Sequence, residues 1–209
     1  GVFLCGEDHQ AVVVRLSEST VEIPLGHWVT MAGHHNRLNA AAATTVSLLA
    51  GAGLDDVRSG LRGFKGLPHR LQLVAQRDGR RYYNDSLATT PESVEVALAA
   101  FDSPVVLLAG GYDKRIPLQG LAETIVEGTR AVALMGQTAE EVDRLLDGLG
   151  FQGGRRVCGS LEEAFDWAVA QSKTGDNIVL SPGCASYDWF TSFRDRGETF
   201  TRLAVEPGS

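Results

Sequence analysis

Residues 84 to 90, Asn-Asp-Ser-Leu-Ala-Thr-Thr, set five short hydrogen-bonding side chains between two tyrosines and a proline. Tyr82-Tyr83 reads as the end of a strand. Thr90 followed by Pro91 reads as a helix cap and first helical position. Strand-to-helix turns of this kind carry the ligand contacts of α/β sheets. Asp85 is placed to accept from ribose hydroxyls, and Thr89 to donate to a carboxylate. The competing reading is a turn tied by local side-chain-to-backbone bonds.

Four further stretches invite a chemical reading. In Leu-Ala-Gly-Gly-Tyr-Asp-Lys-Arg, residues 108 to 115, two glycines end an apolar run and allow close backbone approach to a ligand. Lys114 follows as a cation suited to carboxylate or phosphate, or else as a solvated lysine on a plain turn. In residues 180 to 197 Ser186 precedes an expected helix over 187–195, whose first N–H groups would receive an anion. Trp189, Phe190 and Phe193 would line its apolar side; alternatively Ser186 is a cap and the aromatics are core. Neither Ser186 nor Cys184 sits in the Gly-x-Ser-x-Gly elbow of a hydrolase nucleophile. In Gly-His-His-Asn-Arg-Leu-Asn, residues 33 to 39, the amides of Asn36 and Asn39 share a helix face and suit a base edge, unless Asn36 only caps. Arg70, in Leu-Pro-His-Arg-Leu-Gln, stands where a guanidinium would meet phosphate or simply solvent.

The elements that must position these residues fall into two sets. β-Branched runs at 2–5, 11–16 and 20–24 predict a hairpin or meander, followed by helices over 39–50 and 54–63. Gly66 and Pro68 then break the pattern, and a domain boundary is expected there. Beyond it strands are predicted at 71–76, 81–84, 105–109, 131–135, 156–158 and 178–180. Helices alternate with them at 91–101, 118–128, 139–148, 161–172 and 187–195. Thr138 with Glu141, and Ser160 with Glu163, have capping-box spacing. The alternation, with continuous apolar strands, predicts an α/β fold: a Rossmann-like, doubly wound, mostly parallel sheet. The polar strand ends then share one rim.

The totals limit the function class. The 209 residues carry a net charge of −7, which argues against nonspecific nucleic-acid or acidic-membrane binding. The three cysteines have no CxxC or paired-His spacing, so zinc is not expected and reduced cytoplasmic thiols are. No apolar run approaches the ~20 residues of a membrane span, and no signal-peptide pattern shows. The opening Gly-Val-Phe-Leu-Cys lacks a methionine, and a fragment of a longer protein is expected.

The order of five motifs, GHHNRLNAAAA, GLPHRLQ, YNDSLATTPES, LLAGGYDKR and LSPGCASYDWFTSFRDRGETF, resembles the Mur ligase family over essentially the whole chain. The resemblance implies an ATP-dependent amide ligase of peptidoglycan synthesis with three domains. The first binds a UDP sugar, the second is a P-loop ATPase, and the third is Rossmann-like and receives the incoming amino acid. ATP and Mg2+ would serve the full-length enzyme, a cytoplasmic monomer that contacts neither nucleic acid nor membrane. The closest likeness implies D-glutamate as the amino acid and UDP-N-acetylmuramoyl-L-alanine as its partner, joined through an acyl phosphate. Other amide ligases of the superfamily, Mur or folylpolyglutamate synthase-like, are the alternative, as is a stand-alone ligand-binding module.

Carried over by motif, Asn36 and Asn39 would lie against adenine, Arg70 against the ATP phosphates and Asp85 against the ribose. Thr89, Lys114, Ser186 and Phe193 would hold D-glutamate. Two positions depart from the family pattern: Leu87 stands where many members have Lys, and Arg115 where a small residue is common. No GxxxxGK[ST] loop occurs in the chain. Residues 1–68 are therefore expected to be the tail of the central ATP-binding domain and residues 69–209 the complete C-terminal domain. The sugar-binding region, the P-loop, the metal ligands and a carbamylated lysine would lie elsewhere, leaving this chain inactive alone.

Overall fold

The computed structural model describes residues 2–5, 11–15, 20–24, 29 and 33–206. The chain divides into two compact units, Gly1–Gly66 and Leu67–Ser209. In the first, β1 (Val2–Cys5), β2 (Ala11–Arg15) and β3 (Thr20–Ile23) form an antiparallel meander. Their Val- and Ile-rich composition suits a pleated, half-buried surface. Two helices follow, α1 (His34–Leu49) and α2 (Leu54–Gly63). α1 begins at His34 rather than the expected Asn39, so Asn36 is inside the helix and Gly33 is its cap. Ala40 and Ala41 pack with Ile23 in a small core.

The second unit holds six strands: β4 (Gln72–Arg77), β5 (Arg80–Asn84), β6 (Val105–Gly110), β7 (Ala131–Met135), β8 (Gly154–Val157) and β9 (Asn177–Leu180). Their spatial order is β4-β5-β9-β6-β7-β8. Only the β4–β5 pair is antiparallel; the others run parallel, as the strand-helix alternation predicts. Five helices complete the unit: α3 (Pro91–Leu98), α4 (Gln119–Gly128), α5 (Ala139–Gly148), α6 (Leu161–Gln171) and α7 (Phe193–Val205).

Strand side chains alternate between the two faces. Val105, Leu107 and Ala109 pack with α3, α4 and α5 through Val94, Leu121 and Val142. Val106 and Leu108 face the opposite way, onto α6 and α7 through Phe165 and Phe200. Both faces are therefore buried, which is why β6 and β7 have no polar residue.

Two expectations fail here. Residues 187–189 form a turn and 190–192 are irregular, and the last helix runs from Phe193 to Val205 instead of over 187–195. Ser192 is its cap, accepting from Asp195 N at 3.2 Å. Ser186 therefore does not open a helix. The Thr138 capping box also does not form, because the Thr138 hydroxyl is committed to Gly111. Ser160 does cap α6, and the Glu163 carboxylate returns to Gly159 N at 2.8 Å, one residue before the cap.

Candidate functional site

Because β5, β9, β6 and β7 run parallel, their carboxyl ends meet on one rim. Residues 181–186, following central β9, stitch that rim together. Asp85 N donates to Leu180 O at 2.8 Å, Gly183 N to Ala88 O at 2.9 Å and Gly110 N to Pro182 O at 2.8 Å. Tyr112 N donates to Ala185 O at 2.9 Å, and Thr138 N to Gly111 O at 3.1 Å. The Asp188 carboxylate adds the β7 turn by accepting from Gln137 N at 3.0 Å. Gly111, at φ 151°, passes so near Ala185 O that a Cβ would overlap it. Gly111→Ala should destabilise the chain by about 3 kcal/mol or more through backbone overlap and strain, measurable by urea denaturation.

Arg196, on α7, lies beneath this rim and is 1% exposed. Its Nε donates to Ser86 Oγ at 3.0 Å. One terminal nitrogen reaches Ala185 O at 3.1 Å; the other reaches Ser86 O at 3.0 Å and Cys184 O at 3.1 Å. The guanidinium thus joins the β5 turn to the β9 turn. No carboxylate pairs with it among the described residues, and burial pulls its pKa down to about 10. Sequence reading passed over this residue. The opening stretch now has a clear local role: Ser86 Oγ accepts from Arg196 and donates to Phe193 O at 2.7 Å. Asn84 Nδ2 donates to Gly197 O at 2.8 Å and Thr201 Oγ1 at 3.0 Å. Gly197 is needed because a side chain there would strike His69 and Asn84.

Asp85 is buried beside them. Oδ1 accepts from Leu71 N at 2.9 Å and Oδ2 from Ser181 Oγ at 2.8 Å. Burial outweighs these bonds and the Arg70 charge, and pushes the carboxyl up to about 6. Each oxygen keeps a further lone pair for a ligand hydroxyl. Arg70 is exposed, between His69 at φ 63° and Leu71 at φ 42°, both in the left-handed region. The Asp85 bond to Leu71 N and a Leu87 N bond to His69 O, 2.9 Å, hold this turn.

On the other side of the turn, Lys114 Nζ donates to Thr89 O at 3.2 Å, so these two expected amino-acid contacts adjoin. Lys114 is exposed and Thr89 half-buried. Phe193 opens α7, with His69 edge-on at 6.1 Å and the Arg194 guanidinium 5.7 Å from its ring centre. Ser186 is buried, and its carbonyl accepts from Phe190 N at 2.9 Å. Cys184 is buried and its thiol pKa is pushed up by that burial, as befits a core residue rather than a nucleophile. Asn36 and Asn39 lie in the first unit, half-buried and exposed respectively, on neighbouring positions of α1.

Among the described residues no group of three or more His, Cys, Asp or Glu side chains could hold a metal ion. No described helix is long and apolar enough to cross a membrane.

The family model for the Mur ligase, glutamate ligase domain, matches residues 69–184. The chain is 43% identical over 172 residues to the UDP-N-acetylmuramoylalanine--D-glutamate ligase of Bacillus subtilis strain 168, covering 82% of this chain and 38% of that protein. It is 37% identical over 175 residues to the ligase of the same name from Caldanaerobacter subterraneus, covering 83% and 39%. The chain thus spans about two fifths of the length of these curated relatives. Its fold is similar to that of UDP-N-acetylmuramate-alanine ligase from Thermotoga maritima, with TM-score 0.62 and 16% identity over 79% of this chain and 36% of that one.

Proposed function

Because the chain belongs to the Mur ligase family, we propose that it forms the amino-acid-receiving part of an ATP-dependent ligase joining D-glutamate to UDP-N-acetylmuramoyl-L-alanine. The observation that carries this reading is the contact of Lys114 with the Asp85–Thr89 turn, at the rim where an α/β sheet receives ligands. The names of the relatives support the choice of D-glutamate over other amino acids. On this reading residues 1–68 belong to the tail of a central nucleotide-binding domain and residues 69–209 to the amino-acid domain. The working protein is a cytoplasmic monomer.

The roles follow from the chemistry of each group. Lys114 neutralises one carboxylate of D-glutamate, and Thr89 and Ser186 contribute hydrogen-bonding side chains. Phe193 covers the aliphatic stem. In the second unit Asp85 is suited to accept from a ribose and Arg70 to face phosphates; in the first, Asn36 and Asn39 are suited to an adenine edge. ATP converts the substrate's terminal carboxylate to an acyl phosphate. The D-glutamate nitrogen attacks that carbonyl carbon; the C–N bond forms, the C–O bond to phosphate breaks, and the amine loses a proton. Holding amine and acyl phosphate together is the contribution expected of a rim that serves both ligands. A ligase of this kind uses Mg2+ to neutralise phosphate charge. The described residues lack a cluster that fits the ion, and no metal-bound step is assigned to them.

The test is D-glutamate-dependent ADP release by the full-length protein in the presence of UDP-N-acetylmuramoyl-L-alanine. Release with a different amino acid or a different carboxylate substrate would instead place the chain among the other ligases of the superfamily. Within the full-length protein, Lys114→Ala should raise the KM for D-glutamate by roughly tenfold or more and leave that for ATP within about twofold. Equal changes in both constants would remove Lys114 from the acceptor pocket.

A further inference from the structure

We infer that Arg194 is the second cation of the acceptor pocket, binding the D-glutamate carboxylate that Lys114 does not bind. This inference rests on the D-glutamate reading of the same rim. A dicarboxylate brings two anions out of water, and each needs a charged or well-directed donor. Lys114 is anchored on the Thr89 carbonyl and can serve one. Arg196 cannot serve the other, because its donors are spent on Ser86, Cys184 and Ala185 in a fully buried position. Position 87, in the turn itself, is a neutral leucine.

Arg194 has the required placement. Its guanidinium lies 5.7 Å from the centre of the Phe193 ring, the aromatic wall of the proposed pocket. The Phe193 carbonyl accepts from Ser86 Oγ at 2.7 Å, which fixes this helix start against the turn that carries Leu87 and Thr89. The cation is also uncommitted. Among the described residues Arg194 forms no ion pair. The adjacent Asp195 is engaged through Oδ2 with Thr191 N at 3.1 Å and Thr191 Oγ1 at 3.0 Å. Arg194 remains exposed, so its fork is open to a ligand. Contact with an aromatic face orients a guanidinium without consuming the in-plane N–H groups that grip a carboxylate.

The experiment compares the full-length protein with Arg194→Ala and Arg194→Lys, measuring ADP release while D-glutamate and ATP are varied separately. D-Glutamine, which keeps the shape but loses the side-chain charge, is a second acceptor probe. Arg194→Ala should raise the KM for D-glutamate on the order of tenfold to a hundredfold, with Arg194→Lys between it and the parent. The KM for ATP should stay within about twofold, and the KM values for D-glutamate and D-glutamine should move closer together if the side-chain carboxylate is the one bound. A rise in both acceptor constants by the same factor would still place Arg194 in the pocket, on the α-carboxylate. An unchanged D-glutamate constant, or equal rises for D-glutamate and ATP, would overturn the inference alone. A parent protein with no D-glutamate-dependent ADP release would overturn the functional reading itself, before any variant is compared.

Discussion

Arg196→Met should destabilise the Leu67–Ser209 unit by about 3 kcal/mol, and Arg196→Lys by at least as much. Two opposing magnitudes set this result. Four hydrogen bonds from a charged donor set, at about 1.5–3 kcal/mol each, are worth about 6 kcal/mol or more together. Against them stands the cost of burying a guanidinium that pairs with no carboxylate among the described residues. The fall of its pKa from 12.5 to about 10 puts that cost at about 3 kcal/mol. Methionine loses the bonds and recovers the desolvation cost. Lysine retains the charge but gathers its donors on one nitrogen, which cannot span Ser86, Cys184 and Ala185 together. Urea denaturation measures the difference, and amide exchange should show the turns after β5 and β9 loosening first. A loss below about 0.5 kcal/mol for both variants would mean that the rim holds itself together without the clamp.

Asp85→Asn should act in the opposite direction. Burial raises the Asp85 carboxyl from 3.8 to about 6, so the folded state binds that proton more tightly than the unfolded state. Folded chains then carry the extra proton between about pH 4 and pH 6, and stability falls as pH rises through that window. Above it the full loss, at most about 3 kcal/mol, is present. Asparagine cannot ionise. Its oxygen can still accept from Leu71 N, and its amide can donate to Ser181 Oγ. The variant should therefore be more stable than the parent at pH 7 by about 1–3 kcal/mol and lose the fall between pH 4 and 6. On the proposed reading it should at the same time raise the KM of the full-length protein for ATP, because the charged group proposed to accept from the ribose is gone. Identical stability profiles for parent and variant from pH 4 to 7 would show that the carboxyl titrates as it does in the unfolded chain.

The parallel sheet was legible because its strands are short apolar runs separated by helices of clear period. Predicted and observed bounds of β7 and α5 coincide, and most others differ by one to three residues. The end of the chain was less legible for a physical reason. Ser186 and Ser192 both precede stretches that can be helical, and only tertiary bonds choose between them. The Asp188 carboxylate accepts from Gln137 N, and residues 187–192 form turn and irregular structure instead of a helix. Thr138 has perfect capping-box spacing, yet its hydroxyl finds a better use across the rim at Gly111. Arg196 escaped notice because arginine is seldom fully buried, and nothing local in Phe-Arg-Asp-Arg-Gly separates it from Arg194. In the helix the two residues are about 200° apart, so one enters the core while the other meets solvent. Once the start of α7 is placed at Phe193, that division could have been read from the sequence.

The rim is held by contacts to main-chain atoms: Arg196 to three carbonyl oxygens, Asn84 to Gly197, Thr138 to Gly111, Asp188 to Gln137. Every amino acid supplies the carbonyls, and every one but proline the N–H groups. The exposed groups proposed to meet the incoming amino acid, Lys114 and Arg194, belong to a different set of residues. Asp85, Ser186 and Phe193, by contrast, are proposed ligand contacts that also sit in the supporting network. Substitutions at exposed Lys114 and Arg194 should each be nearly neutral for stability, whereas those in the supporting set should not.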